Sequence, residues 1–133
     1  MPYLNAKLST PPSSETTAKI AAALTELTAV VLGKKKELTS VAIEYLDPAG
    51  WFIGGAALAG QDRPTFYLEI KVTEGTNTKN EKAAYVTQVF VAMEGIVGTL
   101  HPASYIVIHE VRGDAWGYQG QTQEYRYIKG KAL

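Results

Sequence analysis

The sequence predicts an α+β protein (α/β in the broad sense): tandem β-α-β units that form one four-stranded sheet with two helices on one face. Three observations carry that prediction. Landmarks recur about 65 residues apart, Gly33 with Gly98, Ser40 with Ser104 and Trp51 with Trp116, and such self-similarity marks a structural repeat. Each half places one amphipathic helical stretch between two short runs of strand character. Strands separated by a helix pair in parallel through a right-handed crossover. The chain of 133 residues is therefore expected to be a single domain of two pseudo-repeats. Residues 1–62 form the first β-α-β unit, and 63–133 the second with a C-terminal segment.

Each element has its own justification. Residues 3–9 alternate weakly and read as a strand. Thr10-Pro11-Pro12-Ser13-Ser14-Glu15 follows as a loop and helix N-cap, with Glu15 near the positive helix end. Ile20, Leu24, Leu27 and Val31 recur at steps of four, three and four, which sets an amphipathic helix from Ser14 to about Leu32. Gly33 suits the position after the helix, and Lys34-Lys35-Lys36 reads as its solvated, negative-end complement. Thr39 to Leu46 is a second strand, Asp47-Pro48-Ala49-Gly50 a turn, and Trp51-Phe52-Ile53-Gly54-Gly55 a short arm. The pattern then restarts. A strand is expected from Pro64 to Val72, a turn at Glu74-Gly75-Thr76-Asn77, and a helix from about Thr78 to Ile96 with Ala83, Val86, Phe90, Met93 and Val97 on one face. A strand over Ala103 to Val111, a turn at Arg112-Gly113-Asp114 and an arm at Trp116-Gly117-Tyr118 complete it.

A sheet with helices on one face exposes the other. Val41, Ile43, Tyr45, Phe66, Leu68, Ile70, Tyr105, Val107 and His109 cannot all face the helices. The expectation is an exposed apolar sheet face, hence a closed homo-oligomer, with the two short arms pairing across subunits to cover sheet edges.

Composition bounds the function. Lys and Arg number 13 and Asp and Glu 13, a formal net charge of zero. That argues against broad nucleic-acid or membrane-surface binding, which draws on excess positive charge. The absence of cysteine removes disulfides, thiol catalysis and Cys-based metal sites. Two histidines make a His-rich metal site unexpected, so no metal and no cofactor are expected. His109 reads as a core or interface residue, and His101 as a solvated loop residue. No signal peptide or membrane span is expected, which makes the cytoplasm the default location. Gly54-Gly55-Ala56-Ala57 lacks the ending of a phosphate-binding loop, and no Gly-x-Ser-x-Gly elbow is present.

Pro2 is the remaining candidate. Methionine before a small second residue is normally removed, which would leave proline with a free secondary amine. An ordinary α-amino group titrates at about 7.7–8.0. Burial or a neighbouring cation lowers an amine's pKa, and a neutral amine near pH 7 can act as general base or nucleophile.

Pro2 opening a strand, the duplicated β-α-β pattern and the Gly54-Gly55 arm together resemble the tautomerase superfamily, the family of 4-oxalocrotonate tautomerase, cis-3-chloroacrylic acid dehalogenase and malonate semialdehyde decarboxylase. The resemblance is to its longer, fused two-unit members and covers nearly the whole chain. Residues 47–55 are similar to the arm after the family's second strand. Glu74-Gly75-Thr76 resembles its Glu-Gly-Arg turn, and Asp114-Ala115-Trp116 resembles the decarboxylase's C-terminal segment. The resemblance implies a homotrimer, a catalytic Pro2 at the floor of a pocket shared between subunits, and a small 2-oxo or enol carboxylic acid as substrate. Proline would move a proton between carbons while cations hold the carboxylate. This sequence departs from the family where its arginines stand. The turn carries Thr76, Thr10-Pro11-Pro12 has no arginine, and the second-strand position falls near Ala42 or Ile106. Among Arg63, Arg112, Arg126, Lys7 and Lys71, the substrate-binding candidates are Arg112 and Arg126, which flank the C-terminal aromatic segment. Trp116 and Tyr118, together with Trp51 and Phe52, are candidate pocket linings. The alternatives are a decarboxylase, or a hydratase or dehalogenase of a 3-oxo or acrylate acid with Glu124 as a possible water-activating residue, or a non-catalytic family member.

Overall fold

The computed structural model describes residues 1–131. The first unit runs β1 (Tyr3–Leu8), α1 (Ser14–Leu32), β2 (Ser40–Tyr45) and a two-residue hairpin, β3 (Phe52–Ile53) with β4 (Ala56–Ala57). The second runs β5 (Phe66–Thr73), α2 (Lys79–Val97), β6 (Tyr105–Val111) and the hairpin of β7 (Gly117–Tyr118) with β8 (Gln121–Thr122). A short helix, α3 (Gln123–Lys129), follows and was not foreseen from the sequence. The main sheet has the order β2-β1-β5-β6, parallel within each unit and antiparallel where β1 meets β5. The starts of β1 and β5 consequently lie at opposite ends of the sheet.

Capping explains where the helices begin. Ser13 accepts the Thr16 N–H at 3.3 Å to open α1. Thr78 and Glu81 form a reciprocal capping box on α2, the Thr78 hydroxyl accepting the Glu81 N–H and the Glu81 carboxylate accepting the Thr78 N–H. At the end of α1, Gly33 takes φ +70°, a left-handed turn that glycine enters without strain. The chain after it bends back toward the start of β1. Asn77 ties the two units together by donating to the Leu32 carbonyl at 2.9 Å.

The two helices pack on one face of the sheet and on each other. Their core is Leu4, Ala6, Leu8, Ile20, Leu24, Phe66, Leu68, Ile70, Val72, Tyr85, Val89 and Met93, all within 1% of full burial. Removal of this much apolar surface from water is the principal stabilising force. The Tyr85 hydroxyl meets that of Thr28 at 2.9 Å inside the core, and burial pushes the phenol up to about 12.

Register corrects the expected apolar outer face. Leu4 pairs with Val41 and Ile70, and Ile70 with Ile108, so these side chains share the helix-covered face. Val41, Ile43, Tyr45, Phe66, Leu68 and Ile70 all lie there. The opposite face instead carries Tyr3, Asn5, Lys7, Glu44, Tyr67, Glu69, Lys71, Tyr105, Val107 and His109. It is polar and aromatic. Tyr67 donates to Glu69 at 2.9 Å, and His109 stands 3.6 Å from the same carboxylate. His101 is not simply solvated: its Nδ1 accepts the Ala103 N–H at 3.0 Å. No helix among the described residues is long and apolar enough to cross a membrane, and no cluster of three His, Asp or Glu residues there could hold a metal ion.

Candidate functional site

Pro2 is buried at the mouth of β1, where its carbonyl accepts the Ser40 N–H at 3.1 Å and fastens the strand to the start of β2. With Met1 in place the Pro2 nitrogen is an amide, and the free amine at this end belongs to Met1. The Met1 carbonyl accepts the Trp116 indole N–H at 2.8 Å. Trp116 thus reaches the N-terminus from the loop before β7, across 115 residues of sequence.

Two cavities adjoin here, both lined by Met1 and Lys34. The larger, about 440 Å³, is closed by Thr73 to Thr76 from the loop after β5, by Gly113, and by Gln123, Glu124 and Tyr127 from α3. The smaller, about 190 Å³, is lined by Gly33, Lys34, Lys35, Leu38 and Arg126. Burial lowers the Met1 amine from its ordinary 8.0, and the charges of Lys34 and Arg126 lower it further. A bare amine at this position is biased toward its neutral form.

Lys34 is the residue that sequence reasoning missed. The left-handed turn at Gly33 carries it back over the start of β1, where it is half-buried and donates to Thr76 Oγ1 at 2.8 Å. Burial lowers its pKa, while Glu81 and Glu110 pull it the other way. Thr76 occupies the turn position where an arginine was missed in the sequence, so a cation stands at that turn after all, delivered from a different loop. Its neighbours in the Lys run diverge: Lys36 pairs with Glu26 on the surface, and Lys35 stays exposed at the rim of the smaller cavity. A glycine C-cap followed at once by lysine was the available signal.

The other candidates separate. Arg126 lines the smaller cavity and lays its guanidinium over the Tyr118 ring, 4.4 Å from the centroid. Trp116, Tyr118 and Arg126 are thereby brought to the N-terminal end. Arg112 is not. Its Nε and Nη2 donate to the two carboxylate oxygens of Asp114 at 3.1 and 3.2 Å, exposed and lining neither cavity. Trp51 and Phe52 line a separate cavity with Tyr67 and Tyr105. Lys7 and Lys71 lie on the helix-free sheet face, and Arg63 at the far end of the sheet. Glu124 shares the larger cavity with Met1.

The family model described as tautomerase enzyme matches the chain twice, over residues 2–60 and 67–125. The chain belongs to the tautomerase family. The two matched stretches begin at Pro2 and within β5, in step with the duplicated architecture. Solved structures agree on the fold. Native fused 4-OT is 20% identical, with 92% of this chain and 97% of that one covered at a TM-score of 0.83. A fused 4-OT crystallised as an asymmetric trimer is 18% identical, with 93% and 98% covered at 0.83. A macrophage migration inhibitory factor-like protein from Entamoeba histolytica is 21% identical, with 91% and 97% covered at 0.74. No curated protein matches the chain in sequence. Within this tautomerase-family fold, the N-terminal end gathers a chain terminus, two cations and an indole donor around adjoining cavities.

Proposed function

We propose that this chain is an isomerase of the tautomerase type, in which Pro2, freed by removal of Met1, is the general base acting on a small 2-oxo or enol carboxylic acid. The observation that carries the proposal is the setting of the amino terminus: Pro2 is buried beside two adjoining cavities lined by Lys34 and Arg126, and in the uncleaved chain burial and these two charges lower the pKa of the Met1 amine next to it. The neutral secondary amine takes a proton from the enol hydroxyl or, in an unsaturated 2-oxo acid, from a carbon conjugated with the carbonyl. The charge left behind is delocalised onto the oxygen as an enolate, and the resulting ammonium returns the proton to a carbon of that enolate. Lys34 and Arg126 hold the carboxylate and offset the developing charge. Loss of Met1 also removes the carbonyl that Trp116 donates to, which leaves an indole N–H to meet a substrate oxygen. Arg112 takes no part in that hold, because it lines neither cavity and its Nε and Nη2 are engaged by Asp114.

Assembly is proposed to be a homotrimer, supported by neighbours crystallised as trimers and by the unpartnered aromatic face of the sheet. A neutral net charge favours a small acid over nucleic acid or membrane as partner. The presence of Glu124 in the same cavity as Met1 favours a second reading, hydration of an acrylate acid; uptake of water, or release of carbon dioxide in a decarboxylase, would separate it from simple isomerisation. The test of the leading reading is intact mass together with enol–keto conversion of phenylenolpyruvate. Loss of Met1 and collapse of turnover in Pro2→Ala are expected. Wild-type turnover in that variant would overturn it in favour of a non-catalytic family member.

A further inference from the structure

The geometry points to a substrate that carries a single negative charge: a small monocarboxylate whose far end is uncharged and hydrogen-bonding, with dicarboxylates selected against. This rests on the carboxylate seat proposed above. The two cavities that meet at Met1 have opposite electrical character. The smaller is lined by Lys34, Lys35 and Arg126 and by no carboxylate. The larger is lined by Glu74 from the loop after β5 and by Glu124 from α3, and Lys34 lines both cavities. Arg112 feels the charge of both acids but lies outside the lining and holds Asp114 through two hydrogen bonds. Glu74 and Glu124 enter no ion pair among the described residues. A molecule whose carboxylate sits between Lys34 and Arg126, and whose body extends past Met1, therefore presents its other end to two carboxylates.

The larger cavity also offers something to that other end. Gln123 lines it, and its Nε2 is shut off from solvent with no hydrogen-bond partner among the described residues. A buried amide donor without an acceptor is costly, so a turn of this side chain toward an uncharged oxygen on the ligand would be favourable. Tyr127 and Thr76 add further polar lining. A carboxylate at the same place would meet like charge from both glutamates, a repulsion that salt screens and that is therefore strongest at low ionic strength.

Succinate and succinamate test the inference, since they match in size, differ by one charge and do not react with an amine. Binding to the full-length, Met1-processed protein is measured at low salt by NMR titration. Succinamate is expected to bind about tenfold more tightly or better. In the doubly neutralised variant Glu74→Gln/Glu124→Gln the two affinities should fall within about threefold of each other. Both glutamates are exposed, so the variant is expected to fold. Equal binding in the unaltered protein, or a preference that survives neutralisation, overturns the charge selection and leaves the carboxylate seat intact. Failure of both compounds to bind overturns the seat itself, and this inference with it.

Discussion

At one end of the sheet the start of β1 meets the β7–β8 hairpin; at the other, the start of β5 meets the β3–β4 hairpin. The backbone repeats itself closely. Gln123 N–H donates to the Trp116 carbonyl at 2.8 Å, and Leu58 N–H donates to the Trp51 carbonyl at 2.8 Å, 65 residues earlier in each case. Counting from the buried Leu4 and Leu68, Phe66 stands where Pro2 stands. The chemistry does not repeat. Before Phe66 the chain continues through Thr65, whose carbonyl and amide are tied to Ser9 at 3.2 and 2.9 Å, so no amine can arise there. Leu58 replaces Gln123, Thr99 replaces Lys34, and the cavity at that end holds Asp62 and Arg63 in its linker. Duplication gave both ends the same scaffold, and the amino terminus with a back-turned lysine sets one of them apart chemically.

The largest expected difference is at the two strand starts. Pro2→Ala should lower kcat/KM for enol–keto conversion by about 100-fold or more, the lower range of general-base contributions. Phe66→Leu should cost stability in a chemical melt and leave turnover of the remaining folded protein unchanged. Next, Lys34→Ala should lower kcat/KM by about 10- to 100-fold, the value of a charge-assisted contact. It should also move the acid limb of the pH profile upward. The sign follows from the cause: the Lys34 charge lowers the pKa of the amine at Met1 and acts in the same direction on the neighbouring Pro2 amine, so its removal raises that pKa, and a higher pH is needed to keep the base neutral. Arg63→Ala, in the opposite cavity, should shift neither value.

The exchange of Leu58 and Gln123 sharpens the comparison in stability. Leu58 is 3% exposed, so Leu58→Gln should destabilise by about 1–3 kcal/mol, the cost of a buried amide without partners. Gln123→Leu removes an orphaned buried donor and should stabilise by about 1 kcal/mol, read as a rise in Tm, while weakening substrate binding. A loss of stability in Gln123→Leu would mean that the amide is satisfied in the folded protein.

Much of the architecture was legible because it is local. The four-three-four spacing of Ile20, Leu24, Leu27 and Val31, Gly33 after the helix, and the β-branched Ile106-Val107-Ile108 set the elements to within a residue or two. The choice of sheet face was not legible in the same way. It depends on which residue of β5 lies opposite which of β1 and β6, and a register of Leu4 to Ile70 rather than a neighbour places Phe66, Leu68 and Ile70 under the helices. Of the proposed site, Pro2 and Trp116 stand out in the sequence as residue types, and Arg126 by its position. Lys34 escaped because a lysine run after a helix is ordinarily solvent-facing, and only the left-handed Gly33 turn directs this one inward. Arg112 looked equivalent to Arg126 in sequence; the carboxylate two residues on, Asp114, separates them.

The most direct test of the central claim is an NMR titration of the Pro2 nitrogen in the processed, nitrogen-15-labelled protein. A midpoint below that of the same protein unfolded in denaturant, moving upward in Lys34→Ala, is expected from the burial and charge around the amino terminus. A midpoint equal to or above the unfolded one that Lys34→Ala leaves unmoved would contradict it.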